Sequence, residues 1–198
     1  MTWPTKKLEK NPDLKKFFEQ FESWLLWDIK FMLKLEDEGG SVIQPDRSTN
    51  TSRRRPFVAS VILVCCAIDT LAAFRYGRER DGVGEIFKNF VGEYFKASIT
   101  KSGKSYSDKD IYNGLRNALL HGYSLGQDLA LGHEDEQKHL NKLGNRIVVD
   151  VFMLYFDLEA VYEKYKRELQ SGQYLYEFKR RWNFAPLIQY NSEENLKR

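Results

Sequence analysis

The most apolar stretch of this 198-residue chain runs from Phe57 to Phe74. Its length is that of a membrane span, but Asp69 interrupts it and alanine, serine and threonine residues dilute it. A soluble-protein helix that is apolar nearly all round lies at the centre of its fold. We therefore predict a buried core helix from about Phe57 to Tyr76 that ends at Gly77, and no membrane span.

Apolar residues at helical spacings of three and four also mark four other segments. These segments run from Asp13 to Gly39, from Val83 to Ala97, from Asp108 to His121 and from Arg146 to Leu169. From these five segments we predict an all-α fold, an antiparallel helical bundle of four main helices plus additions. A small hairpin is expected between the last two main helices, and a short helix in the C-terminal addition. We expect residues 1–198 to form one domain, with a core at about 13–170 and an appendage at 171–198.

Composition limits the compartment and the partners. The net charge is only +3, whereas dedicated DNA-binding proteins carry a stronger or more clustered excess. The two cysteines, Cys65 and Cys66, are adjacent within the apolar stretch and cannot form a disulfide framework, which favours a reducing compartment. Residues 1–10 contain no apolar segment of the kind found in signal peptides. We therefore expect a cytoplasmic protein.

The helix at 108–121 carries a polar group on one side. At 100° per residue, one arc should face the core, formed by Ile111, Leu115, Ala118, Leu119 and Gly122. Arg116, Asn117 and His121 should project from the other side together, with Asn113 and Leu120 among them. An apolar residue within a polar face is typical of a covered surface. We therefore expect this face to contact a second copy of the chain.

Residues 114–122 (GLRNALLHG) resemble the R-x(4–6)-H motif of the HEPN superfamily. The polar Asn117 directly after the arginine, the place near the end of a late helix and the acidic Asp69 within the apolar helix also match that family. The resemblance implies a HEPN-like dimer in which the two motif helices meet. Many HEPN proteins are metal-independent endoribonucleases, often in toxin–antitoxin or antiviral defence systems. Carried over to this chain, the resemblance implies that Arg116 and His121 are catalytic and that Asn117 supports them.

These residue types suit RNA cleavage by the substrate's own 2′-hydroxyl. His121 can act as base or acid near neutral pH, and Arg116 can hold two phosphate oxygens at once. The reaction requires no metal and no cofactor, and a twofold interface would supply two histidines for the base and acid roles. The expected partners are RNA, a second copy of the chain and an antitoxin or other protein.

Simpler roles for the same residues stay open. A histidine before a glycine is an ordinary choice at the negative end of a helix, and Arg116 can pair with an acid such as Asp69 or Asp110. Asp69 either orients Arg116 or is a buried acid satisfied by Arg75, a tyrosine or a backbone donor. The alternative function is a non-catalytic helical module that binds RNA or a protein through the same surface.

Two basic runs are weaker candidates for RNA contact. The first contains Arg53, Arg54 and Arg55, and the second contains Lys179, Arg180 and Arg181 beside Trp182. Such runs can hold an RNA backbone, although they are more often solvated ends of loops and helices.

His133 and His139 lie near three acidic residues at positions 134–136. Their spacing fits no familiar zinc pattern, and no cysteine lies nearby. We expect a solvated loop there and no metal site.

Overall fold

The computed structural model describes residues 11–35, 57–79, 82–108, 111–122, 124–133 and 135–187. The basic run at Arg53, Arg54 and Arg55 lies outside these residues, as does Asp110. Within them the chain forms six helices, a 3₁₀ turn at Glu136–Lys138 and three short strands. The helices are α1 (residues 12–33), α2 (Phe57–Arg75), α3 (Val83–Tyr94), α4 (residues 111–122), α5 (Val151–Ser171) and α6 (Leu175–Phe184). The strands are β1 (Leu129–Gly132), β2 (Lys142–Leu143) and β3 (Arg146–Asp150).

Helix α1 begins at Pro12, one residue before the predicted start at Asp13, and its cap is Asn11. The Asn11 side chain accepts a hydrogen bond from the Leu14 amide at 3.3 Å, and a proline occupies the first turn, where its missing N–H costs nothing. A π-helical segment, Phe21–Leu26, interrupts the α-helix. The helix ends at Leu33 rather than at Gly39, because Lys34 adopts a left-handed conformation with φ 53°.

Helix α2 is the centre of the fold, as its apolar sequence predicts. It contacts each of the other five helices, and 56% of its most apolar window is buried. By length and composition alone α2 could cross a membrane, but its burial among five helices is that of a core helix in a soluble domain.

A small mixed sheet makes the fold mostly helical rather than all-α. Its strand order is β1–β3–β2, with β1 parallel and β2 antiparallel to β3. The β2–β3 pair is the hairpin that the sequence predicts, and its turn contains Gly144 at φ 62°. The parallel strand β1 was not expected.

The prediction of a helix from Arg146 is wrong for its first five residues. The run Ile147, Val148 and Val149 is β-branched and pairs within β3, where such side chains pack well. Helix α5 begins only at Val151, and the Asp150 carboxylate caps it by accepting a hydrogen bond from the Met153 amide at 3.0 Å.

The short C-terminal helix that the sequence predicts is present as α6. Its buried Phe178 packs against Phe17 and Phe74, with ring centroids 5.4 Å away in both cases. The ring of Trp182 stacks on Phe178 at 5.9 Å. Residues of α6 therefore belong to the same aromatic core as α1 and α2.

Candidate functional site

The helix that carries the motif starts with a π turn. Ile111–Asn117 is π-helical, and Ala118–Gly122 continues as α-helix. In a π turn the hydrogen bonds join residues five apart, so Arg116 comes round to the side of buried Ile111. The expectation that Arg116 faces away from the core is wrong, because its side chain is only 14% exposed and points to α2.

Arg116 is held by two hydrogen bonds. Its Nε donates to Oδ2 of Asp69 at 3.0 Å, and its Nη1 donates to Oδ1 of Asn117 at 2.8 Å. Asp69 therefore contacts Arg116 and not Arg75, which bonds to Glu93 at 2.8 Å instead. Among the described residues, Nη2 of Arg116 makes no hydrogen bond, which leaves one guanidinium edge for an anion.

The Asp69 carboxyl lies in an environment that disfavours its charge. Burial raises the pKa of Asp69 above its ordinary value, and the Arg116 guanidinium offsets only part of this rise. Oδ1 of Asp69 is buried and has no hydrogen-bond partner in the described part of the chain. Burial also raises the pKa of the Cys66 thiol, one turn before Asp69. The ion pair thus fixes Arg116 in place while leaving one carboxylate oxygen unsatisfied.

His121 lies on the last turn of α4 and is exposed. No hydrogen bond or ion pair joins it to Arg116, to Asn117 or to another residue in the described ranges. Asp69, Arg116 and Asn117 are therefore brought together as one connected group, while His121 stands apart from it on the solvent side of the same helix.

The backbone at Gly126 lies directly against the backbone of Gly114 and holds the π turn in place. The Gly126 amide donates to the Gly114 carbonyl at 3.0 Å. A Cβ on Gly114 would collide with the Leu129 side chain and would lie 2.9 Å from its Cγ. The absence of a side chain at Gly114 lets β1 approach α4, so the sheet supports the backbone that carries Arg116.

The three cations of the basic run on α6 have different surroundings: one is exposed to solvent and two contact backbone carbonyls. Lys179 is exposed. Arg180 donates to the carbonyls of Gly77 at 2.6 Å and Tyr76 at 2.9 Å, and Arg181 lies 3.4 Å from the carbonyl of Arg78. These cations close the carboxyl end of α2, where the helix dipole favours positive charge.

Trp182, beside that basic run, is buried against Phe178 and Phe74. Its ring is therefore not available to stack on a nucleic-acid base.

A buried polar network was missed by the sequence analysis. His139 and Asp157 are both 0% exposed, so the expectation of a solvated loop is wrong at His139. The Tyr106 hydroxyl donates to Oδ2 of Asp157 at 2.7 Å and lies 2.8 Å from Nε2 of His139. The amide and hydroxyl of Ser102 both donate to Asp157 at 2.6 Å.

The network joins three separate parts of the chain. Nδ1 of His139 accepts the Asp150 amide at 3.1 Å, so Nε2 carries the proton and donates it to the Tyr106 oxygen. The sequence could have indicated this network through Asp157, because this acidic residue lies between the core residues Leu154 and Leu158 on a helix. Since every donor and acceptor in the network is used internally, we assign it a structural role.

His133 stacks on Phe57, with ring centroids 4.6 Å apart. Across the described ranges, no group of three or more histidine, cysteine, aspartate or glutamate residues is arranged to hold a metal ion.

Comparison of the chain with protein-family models, with curated proteins and with solved structures finds no match. The resemblance to HEPN proteins therefore depends on the motif residues and their setting.

Proposed function

We propose that this chain is a HEPN-like antiparallel helical bundle that acts as a metal-independent endoribonuclease at a site formed by two copies. The observation that carries the proposal is the hydrogen-bonded group of Asp69 on α2 with Arg116 and Asn117 on α4. The exposed His121 follows these two residues on α4. The π turn under Arg116 adds support, since such turns are frequent at functional sites.

The chemistry needs a base, an acid and a cation. A histidine removes the proton of a ribose 2′-hydroxyl, and the resulting oxygen attacks the adjacent phosphorus. The bond from phosphorus to the 5′-oxygen breaks, and a second group donates a proton to that oxygen. Arg116 stabilises the additional negative charge on the phosphate through its free guanidinium edge. The products end in a 2′,3′-cyclic phosphate and a 5′-hydroxyl.

One copy of the chain offers one exposed motif histidine, whereas the reaction uses a base and an acid. A twofold interface through the face of helix 108–121 would place a second His121 at the same cleft. Half-buried Leu120 and exposed Asn113 lie on α4 and would be covered in such a dimer. We propose that the protein acts in the cytoplasm, in a toxin–antitoxin or defence system, with an antitoxin as its protein partner.

The test is cleavage of a panel of single-stranded RNAs in EDTA by wild type and by the Arg116→Ala and His121→Ala variants. The matched control is Arg167→Ala, which removes an exposed arginine from α5. Cleavage by wild type and the control, but not by the motif variants, supports the proposal. Intact RNA across the panel with a dimeric wild-type protein rejects the enzymatic function.

The burial of Arg116 favours a second candidate, a non-catalytic module that binds RNA or a protein through the same surface. An arginine side chain that is 14% exposed and paired with Asp69 can hold α4 in place without taking part in chemistry. This alternative requires that wild type leaves RNA intact, while His121→Ala changes RNA binding or the oligomeric mass.

A further inference from the structure

The ring of Tyr112 lies where α3 meets the motif helix, one turn before Arg116. Its hydroxyl end covers Gly84, because a Cβ on Gly84 would lie 2.8 Å from Cζ of the tyrosine. The ring also packs against Phe87, with centroids 5.5 Å apart. These contacts from α3 fix the ring at the surface between the two helices.

Two cations from different helices approach this ring. The Arg116 guanidinium carbon lies 5.5 Å from the ring centroid, and Nζ of Lys88 lies 5.7 Å from it. Both distances are within the range of cation–π attraction. Arg116 on α4 and Lys88 on α3 therefore lie within cation–π range of the same ring, that of Tyr112.

Lys88 keeps its charge available to a ligand. Its side chain is 32% exposed, and its partner Glu85 lies at 3.1 Å on an exposed part of the same helix. Exposed pairs of this type contribute little to stability, so a phosphate can replace the carboxylate at little cost.

We propose that Lys88 is a second phosphate-binding residue of the site, and that a single-stranded RNA bound at Arg116 crosses Tyr112 and continues along α3. This inference rests on the proposed function and extends it to the path of the substrate. Single-stranded nucleic acid suits the surface, since its flexible backbone can follow cations placed around an aromatic side chain. Nothing in the R-x(4–6)-H motif itself includes Lys88 or Tyr112.

The test is binding of a fluorescein-labelled ten-nucleotide oligouridine by anisotropy over a series of salt concentrations. All proteins are full-length and carry His121→Ala, so that the RNA stays intact. The added substitutions are Lys88→Gln and Lys88→Arg. The matched control is Lys164→Gln, because Lys164 also pairs with a glutamate of its own helix, at 2.6 Å, and lies 5.9 Å from a tyrosine ring.

We expect Lys88→Gln to weaken binding on the order of 5-fold and to reduce the slope of log affinity against log salt by about 0.7, the value for one lost phosphate contact on a single strand. Lys88→Arg should keep the parent slope, and Lys164→Gln should keep both slope and affinity. A parent slope in Lys88→Gln, or an equal loss in Lys164→Gln, overturns the inference.

A cleavage assay with proteins that keep His121 distinguishes a failure of the Lys88 inference from a failure of the proposed function. If wild type cuts RNA while Lys88→Gln binds with the parent salt slope, the inference alone is wrong. If wild type neither cuts nor binds the RNA, the proposed function fails and the inference fails with it.

Discussion

Asp69 and Arg116 form an ion pair of 3.0 Å that joins the central helix α2 to the π turn of α4. Their side chains are 21% and 14% exposed, so the pair is largely removed from water. A buried pair holds its members in fixed positions but contributes little net stability, because both charges are desolvated. We infer that the pair positions Arg116 rather than stabilising the fold.

The first prediction concerns the pH dependence of the Asp69→Asn variant. Burial raises the pKa of Asp69 in the folded protein, so the folded state binds the proton more tightly than the unfolded state. The stability that this group contributes is therefore fully present below the ordinary aspartate pKa of about 3.9 and is lost as pH rises through the folded value.

Urea denaturation of wild type and Asp69→Asn at several pH values from 4 to 7 measures this effect. The free energy of unfolding of wild type should fall relative to that of the variant as pH rises. A difference that stays constant, or changes in the opposite direction, contradicts the account of the Asp69 environment.

The second prediction concerns two helical glycines. Gly114→Ala should lower the free energy of unfolding by about 1–3 kcal/mol, the usual cost of overpacking, because its Cβ would collide with Leu129. Gly92→Ala is the matched control on α3, where a Cβ would meet nothing within 4 Å. It should raise stability by about 0.5–1 kcal/mol. Urea denaturation checks both signs, and equal effects would refute the close approach of β1 to α4.

The third prediction concerns the buried network around Asp157. Tyr106→Phe removes the hydroxyl that bonds to both His139 and Asp157, which should lower the free energy of unfolding by about 1–3 kcal/mol. Tyr176→Phe removes a hydroxyl from a side chain that is 73% exposed and should have almost no effect. Thermal and urea denaturation compare the two variants, and a neutral Tyr106→Phe would count against a structural role for the network.

The fourth prediction concerns the two thiols of α2. Burial raises the pKa of both cysteines, and the nearby Asp69 carboxylate adds to the rise. Since the thiolate is the reactive form, the native protein at pH 8 should react with a thiol reagent far more slowly than the urea-unfolded protein. Cys66, which is half-buried, should react before Cys65. Rapid native labelling of both thiols would show that α2 is not packed as described.

The central helix was predictable because one local property, a nearly unbroken run of apolar residues, determines its place in the fold. From Phe57 to Phe74 nearly every side chain is apolar, so the helix has to be surrounded on all sides whatever the remaining topology. The start of α1 was predictable to within one residue, since the signals at Asn11, Pro12 and Asp13 all act within one turn. Such features require no knowledge of distant residues.

The orientation of Arg116 was not predictable from the same rules. A π turn changes the rotation per residue around the helix axis, and the regular spacing of apolar residues in a sequence does not indicate such a turn. The turn is built on tertiary contacts, with Tyr112 placed over Gly84 and Leu129 placed against Gly114. Strand β3 was missed for a related reason, because Ile147, Val148 and Val149 fit an apolar helix start as well as a strand until β1 is known to pair with them.

We propose that a base and an acid, one of them His121, cleave RNA through the substrate's own 2′-hydroxyl. The most direct measurement is analysis of the 3′ ends that form when a single-stranded RNA is incubated in EDTA with wild type or with His121→Ala. We predict 2′,3′-cyclic phosphate ends with wild type and at least a ~100-fold slower appearance with His121→Ala. The absence of new ends with wild type, or their equal appearance with His121→Ala, would contradict the account.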